Sequence, residues 1–319
     1  MEAVLAVTYR CNARCDMCHT WRFPSDKSRE VTAKEFDKLP KMRFANITGG
    51  EPFLREDLDE IVQIVKPKVN RMVISTNGLL TKRIVKFMEK HFDMGIRISL
   101  DGFLESHDKV RGIPGAFDKA LHTLIELKML GIKDLGIGST VSDLNYKDLR
   151  YIFTFAESMG LELPINIVHN SYYFHKMDNS IEHKEDIVME IQWAIRRYLR
   201  SWKIKNWFRA YFTDGIIDYI YGRQRRLPCE AGENMFVLDP HGDIFPCNML
   251  DIRMGNLREK SFDEIWHSKE ALVARAKVAR CDLDCWMIGS VVAPMHKKIW
   301  KPSLWILKNK FLTNTSTCE

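Results

Sequence analysis

Three cysteines, Cys11, Cys15 and Cys18, form a C-x3-C-x2-C array just after a short apolar run. Thiolates this close together on one loop can hold three irons of a 4Fe–4S cluster. Full ligation takes four cysteines, so a loop of three leaves one iron open. An open position marks a catalytic rather than a structural metal site. A zinc knuckle and a redox pair are the competing readings. Zinc sites usually join a C-x2-4-C pair to a second pair or to two histidines, and His19 alone is an awkward fourth ligand. A second group, Cys229, Cys247, Cys281 and Cys285, is spaced C-x17-C, then a long gap, then C-x3-C. Four thiolates complete the ligation of a cluster, and they equally suit a structural zinc ion. Spacing alone leaves those two open.

Thr48-Gly49-Gly50-Glu51-Pro52 closes one apolar run and opens a helical pattern. Glycines there let the backbone approach a bound group, and free N–H groups ahead of a helix favour a polar or anionic ligand. Further on come Ser99-Leu100-Asp101-Gly102, His107-Asp108 and Arg111-Gly112. With the cysteine loop, these motifs resemble the radical S-adenosylmethionine (SAM) superfamily, and the resemblance runs from about Val4 to Met287. Around the second cysteine group, Cys229-x2-Gly232, Gly242-Asp243-Ile244-x-Pro246-Cys247, Met254-Gly255-Asn256-Leu257 and Phe262-x2-Ile265-Trp266 resemble the SPASM/twitch extension of that superfamily. Four cysteines suit its short form with one auxiliary cluster, and Cys318 is left as an unligated tail thiol.

The resemblance implies two 4Fe–4S clusters, one binding SAM and one auxiliary, and an electron donor such as flavodoxin or ferredoxin. It implies reductive cleavage of SAM to a 5′-deoxyadenosyl radical that abstracts hydrogen from a substrate C–H bond. By the same resemblance, Gly49, Gly50 and Glu51 meet the SAM amino group, and Ser99 and Arg111 hold ribose and carboxylate. Ser75 and Asn77 add a ribose or substrate contact, Thr140 and Val141 flank adenine, and Met17 packs where an aromatic residue is common. His169, Asn170, Tyr172, Tyr173 and His175 follow the sixth strand and are candidates for the substrate pocket. The leading expectation is oxidation of a small metabolite, a sugar or a lipid-linked substrate. A fully ligated auxiliary cluster can take an electron but cannot chelate substrate. The alternatives are a maturase acting on a ribosomal peptide and a non-catalytic zinc or iron–sulfur scaffold. The first strand begins by residue 3, which leaves no room for an N-terminal peptide-binding module, and a scaffold has no use for an open iron.

These residues need elements to position them. Strand-like runs are read at Ala3–Thr8, Phe44–Thr48, Arg71–Ser75, Ile96–Leu100, Leu135–Val141 and Leu163–His169, with helical periodicity at Asp57–Val65, Lys82–Lys90, Phe117–Leu130 and Asn145–Met159. Thr32 and Glu35 read as a capping box. Such alternation predicts a parallel sheet with right-handed crossovers, and six repeats fit a partial (β/α)6 barrel over residues 1–170. Chemistry belongs at the carboxyl ends of such strands, where each motif falls. Residues 171–227 read as a helical connector, with helices at Ile187–Lys203 and Phe208–Tyr221. Residues 228–289 read as a small α+β cluster-binding domain, with a hairpin at Asp239-Pro240-His241-Gly242 and one helix from Phe262 to about Ala279. Residues 290–319 form a basic, Trp-rich tail.

A chain of 319 residues with 28% charged residues and a net charge of +6 is an ordinary globular composition, without the polybasic block that would indicate nucleic acid. No signal-peptide pattern opens it, and no apolar run approaches the ~18 residues of a membrane span. Its cysteines therefore read as metal ligands in a reducing cytoplasm. The Lys- and Trp-containing tail raises peripheral membrane contact as an expectation, against a tail that packs over the barrel mouth.

Overall fold

In the computed structural model, which describes residues 1–312, all six expected strands form: β1 (Glu2–Ala6), β2 (Met42–Thr48), β3 (Val69–Thr76), β4 (Gly95–Ser99), β5 (Leu135–Val141) and β6 (Ile165–Ile167). Between them run helices α1 (Ala33–Phe36), α2 (Leu58–Val65), α3 (Thr81–Met88), α4 (Glu105–Arg111), α5 (Ala116–Met129) and α6 (Leu149–Ser158). The capping box is present, with Glu35 accepting from the Thr32 amide at 2.8 Å and hydroxyl at 2.7 Å. Neighbouring strands pair in parallel through β6. Their inner faces carry the core, with Leu5, Ile47, Ile74, Ile96, Ile98 and Ile137 fully buried. Cys318 lies outside the described residues.

The connector holds two long helices, α7 (Lys184–Arg200) and α8 (Ile204–Ile220), which pack against each other. The cluster-binding segment then forms β7 (Met235–Leu238), β8 (Asp243–Phe245) and β9 (Gly255–Asn256). The β7–β8 pair is the expected antiparallel hairpin. What the sequence did not show is that β7 pairs in parallel with β1, Glu2 opposite Met235 and Leu5 opposite Leu238. One sheet of order β6-β5-β4-β3-β2-β1-β7-β8-β9 therefore runs through barrel and extension.

The single helix expected from Phe262 to Ala279 is two: α9 (Phe262–Trp266) and α10 (Lys269–Ala279). Ser268 interrupts it by capping α10, its hydroxyl accepting from the Ala271 amide at 3.1 Å. A serine at that point offers the backbone a better partner than continued helix. The tail folds into α11 (Ile288–Lys297), α12 (Trp300–Ile306) and a π-helical turn over Leu307–Leu312. It does not close over the barrel mouth. It runs along the connector instead, with Trp305 against Tyr211 at 5.7 Å and Lys301 donating to the Arg226 carbonyl at 3.1 Å. No helix among the described residues is long and apolar enough to cross a membrane.

Candidate active site

The Cys11–Cys18 loop leaves the end of β1 and is held from three sides. The end of α4 faces it with free carbonyls: the Arg14 amide donates to Arg111 O and the Asp16 amide to Val110 O, both at 2.9 Å. Gly112 closes α4 at φ +64°, and a Cβ there would lie 2.3 Å from Arg14 O. On the second side lies the glycine motif. Gly50 N–H donates to Thr8 O at 2.7 Å and Glu51 N–H to Arg10 O at 2.8 Å. A Cβ on Gly49 would come within 2.2 Å of Thr8 O, and one on Gly50 within 2.3 Å of Arg10 O. These glycines are required because two backbones touch there. The third side is the segment after β6, where Phe174 O accepts from the His19 amide at 2.8 Å.

Beneath the loop lies a polar network that sequence reasoning missed. Buried Glu30 accepts from Thr8 at 2.5 Å, Ser25 at 2.6 Å, Arg10 at 3.0 Å and Arg55 at 3.2 Å. Burial raises its pKa, but these donors more than offset that and hold the carboxyl below its ordinary value. Nothing in the local pattern around Glu30 marked it, since its partners come from three separate segments.

Glu51 is wholly buried and already engaged. Its carboxylate accepts from Thr76 Oγ1 at 2.8 Å, Asn77 N at 2.8 Å and Phe53 N at 3.1 Å. Burial pushes its pKa up to about 7 against the pull of those donors. It therefore ties the end of β3 to the glycine turn. Arg111 is engaged as well. It pairs with Asp101 at 2.5 Å and donates toward Cys15 Sγ at 3.6 Å, leaving its Nε without a partner. Burial opposes its charge, yet Asp101 and Cys15 outweigh that and raise its pKa. Asp101 was visible as part of a motif, but not as the hub it is: Oδ1 accepts from the Thr140 amide at 2.8 Å, and Asn145 Nδ2 ties Asp101 O to Thr140 O at 2.8 Å each. His107 Nδ1 accepts from the Asp101 amide at 3.1 Å, and burial with the nearby Arg111 lowers its pKa to about 4.

Asn77 reaches the loop, donating to Asn12 Oδ1 at 2.7 Å, whereas Ser75 donates sideways to Asn46 at 2.9 Å within the sheet. Ser99, Thr140 and Val141 end β4 and β5 on the same rim. Of the residues after β6, Tyr173 is buried beside Tyr9, with ring centroids 5.9 Å apart. His175 sits at φ +50° among Phe23 and Tyr9. Tyr172 faces Phe245 of the extension. Tyr172 and His175 border an aromatic seam on the tight Ser171–Lys176 turn, stapled to the extension by Ser171 Oγ donating to Asn248 O at 2.5 Å. Asn170 holds Asn179 in a reciprocal pair, at 2.8 and 3.2 Å.

Cys229, Cys247, Cys281 and Cys285, with Leu283 and Met287, line one small enclosed cavity. Among the described residues, no three His, Cys, Asp or Glu side chains converge as they do around a single metal ion; these four thiols ring a space. Burial pushes Cys11 and Cys285 up to about 12 and Cys247 to about 11. Such thiols bind soft iron only with proton release. Two all-sulfur donor sets in shielded pockets, one of three and one of four, fit iron–sulfur clusters.

A larger cavity, about 420 Å³, opens beside the segment after β6. Its wall includes Val168 and His169 after β6, Asn179, Lys184 at the start of α7, Arg223 after α8, and Leu283. Asn179 also donates to the Met17 carbonyl in the first cysteine loop at 3.3 Å. Leu283 lines the second cysteine cavity as well.

A partial parallel barrel with a three-cysteine loop, extended by a four-cysteine module, defines a SAM-dependent iron–sulfur enzyme class. The profile of the Radical SAM superfamily matches residues 5–156, and that of an iron–sulfur cluster-binding domain matches residues 229–286. The chain belongs to the radical SAM superfamily, carries this second cluster-binding domain, and uses SAM and 4Fe–4S clusters. It is 35% identical over 158 residues to an Fe-coproporphyrin III synthase of Methanosarcina barkeri, a match covering 47% of this chain and 39% of that protein. It is 27% identical over 291 residues to an AdoMet-dependent heme synthase of the same organism, covering 83% and 81%. To the mycofactocin maturase MftC of Mycolicibacterium smegmatis it is 27% identical, covering 83% and 69%. The solved structure of anSMEcpe with bound AdoMet shares the fold, with a TM-score of 0.64 at 16% identity over 97% of this chain and 98% of that one.

Proposed function

We propose that the chain oxidises an acidic small-molecule substrate held in the 420 Å³ cavity walled by the segment after β6, α7, α8 and Leu283. One observation carries the reading: Asn179 joins that cavity to the first cysteine loop, and Leu283 joins it to the second. When bound, SAM and the open cluster supply one-electron cleavage to a carbon radical able to take a hydrogen atom from a C–H bond. Asp101, Asn77 and the touching glycine backbones keep the loop, and so the radical's origin, fixed at the strand ends. Arg111 offsets negative charge beside Cys15.

Loss of two hydrogens from substrate removes one hydrogen atom, one proton and one electron. We assign each a group. His169 Nδ1–H donates to Ile167 O at 3.1 Å, which leaves Nε2 as a buried acceptor without a partner. Burial lowers its pKa, so it is neutral near pH 7 and suited to take the proton. The four-thiol site, which shares Leu283 with this cavity, is assigned the electron. Lys184 and Arg223, the latter paired with Asp218 at 3.3 Å, line the cavity with one carboxylate, Asp284, and the volume suits one small ligand. That favours a carboxylate- or phosphate-bearing metabolite over an uncharged one. An acidic peptide end satisfies the same rim. The test is anaerobic incubation of iron-loaded, reduced protein with SAM and metabolite fractions sorted by charge. Products lighter by two hydrogens from acidic fractions, lost with His169→Ala while 5′-deoxyadenosine formation persists, support the reading. Products of unchanged mass carrying solvent deuterium overturn it.

A further inference from the structure

We propose that the chain docks peripherally on an anionic bilayer through a face built by the α7–α8 turn and the C-terminal helices. The apolar residues of the tail divide into two sets. Pro302 and Ile306 are buried, and Trp305 packs on Tyr211. Trp300, Leu304, Leu307 and Phe311 follow at intervals of four, three and four residues and are 58%, 58%, 49% and 54% exposed. That spacing is a second helical stripe, turned away from the protein. The tail thus packs with one apolar face and presents another.

The α7–α8 turn joins this surface. Trp202 is 93% exposed and Ile204 62% exposed. The tail's end is anchored beside them: Lys310 donates to the Leu199 carbonyl, and the Phe311 ring meets Trp207 at 6.0 Å. Two tryptophans, three leucines or isoleucines and a phenylalanine are therefore exposed along the adjoining tail and α7–α8 turn. Single exposed apolar residues are ordinary, but a contiguous set of this size marks an interaction surface.

Charge selects the occupant. Residues 196–210 contain six Lys or Arg and no acid, and residues 297–312 contain five Lys and no acid. Several are tied down: Arg197 pairs with Glu157, Lys205 and Arg209 with Glu162, and Lys297 with Glu230. Arg200 and Lys203 at the α7–α8 turn, and Lys298 ahead of α12, add positive charge at the two ends of this face, without such pairs among the described residues. Tryptophan beside lysine on an exposed helix face suits the headgroup boundary of an anionic membrane. A second copy of this chain is disfavoured as the occupant, because a two-fold contact would set this cationic face against itself.

The measurement is co-sedimentation of the iron-loaded protein with phosphatidylcholine vesicles, with and without phosphatidylglycerol. Binding is expected only to the phosphatidylglycerol vesicles, and is expected to weaken with salt. The Trp202→Ser/Leu304→Ser pair and the Lys203→Glu/Lys298→Glu pair should each lower partitioning by more than about tenfold. All four positions lie outside the catalytic machinery, so iron content and SAM cleavage should stay unchanged; this separates failure here from failure of the oxidase reading. Equal binding to both vesicles, or to neither, overturns the proposal. So does a dimer or a complex with a soluble acidic protein that the same substitutions dissolve.

Discussion

Arg111→Ala is the sharpest test of how the site is held. Arg111 and Asp101 pair at 2.5 Å, with side chains 12% and 0% exposed. Removing the guanidinium strands a carboxylate that no water reaches, and breaking one partner of such a pair costs ~3–5 kcal/mol. The carboxylate also holds the Thr140 amide, so the β4 and β5 ends loosen together. Cys15 loses its cationic neighbour at 3.6 Å as well. The variant should therefore lose stability and cluster, not merely affinity for SAM. Denaturant titration of the metal-free protein and iron determination on the reconstituted one read the two effects. The double variant Arg111→Met/Asp101→Asn should regain at least about 2 kcal/mol of the loss, because no charge is left buried. If Arg111→Ala unfolds within about 1 kcal/mol of the parent and keeps full iron while SAM binding collapses, Arg111 is a simple ligand residue and the hub argument fails.

Glu51 titrates up to about 7 through burial. Between its ordinary range and pH 7 the folded state holds the extra proton, so its contribution makes the metal-free protein less stable as pH rises through that window, by ~3 kcal/mol in all; a pH series of denaturant midpoints reads this, and a Glu51→Gln variant should flatten it. Gly50→Ala should cut iron at the first site to a small fraction, because its Cβ meets backbone Arg10 O at 2.3 Å, one residue from Cys11; normal iron in that variant would show that the turn is plastic. Trp286 is 2% exposed, bonded to Phe212 O at 2.7 Å and adjacent to Cys285, so Trp286→Ala should cost ~3–5 kcal/mol and loosen the second cluster before the first, as followed by iron content during unfolding.

Local signals were legible wherever a residue's role depends on its neighbours in sequence. The run Leu135–Val141 reads as a strand and is one, residue for residue. Both cysteine sets are readable by spacing. What is settled across the chain was not readable. Glu51 and Arg111 belong to the right motifs, yet their charged groups face partners 25 and 10 residues away that no period announces. Lys184, Asn179 and Arg223 come to one cavity only because α7 and α8 fold back on each other. Tyr172 and His175 follow a strand, as read, but the tight turn that staples them to the extension depends on Asn248, more than seventy residues away, and no local pattern announces it.

The parallel ladder between β1 and β7 has a consequence for electron transfer. Cys11 follows one of these strands, and Cys247 follows the hairpin begun by the other. In the proposed oxidation the donor and acceptor sites are mounted on a shared hydrogen-bonded frame, so their separation is set by the backbone and not by a hinge. The α7–α8 hairpin, which supplies the cavity's cations, is inserted between those strands in sequence but outside their pairing. On that proposal, a change in the hairpin alters the cavity wall and leaves the β1–β7 frame in place.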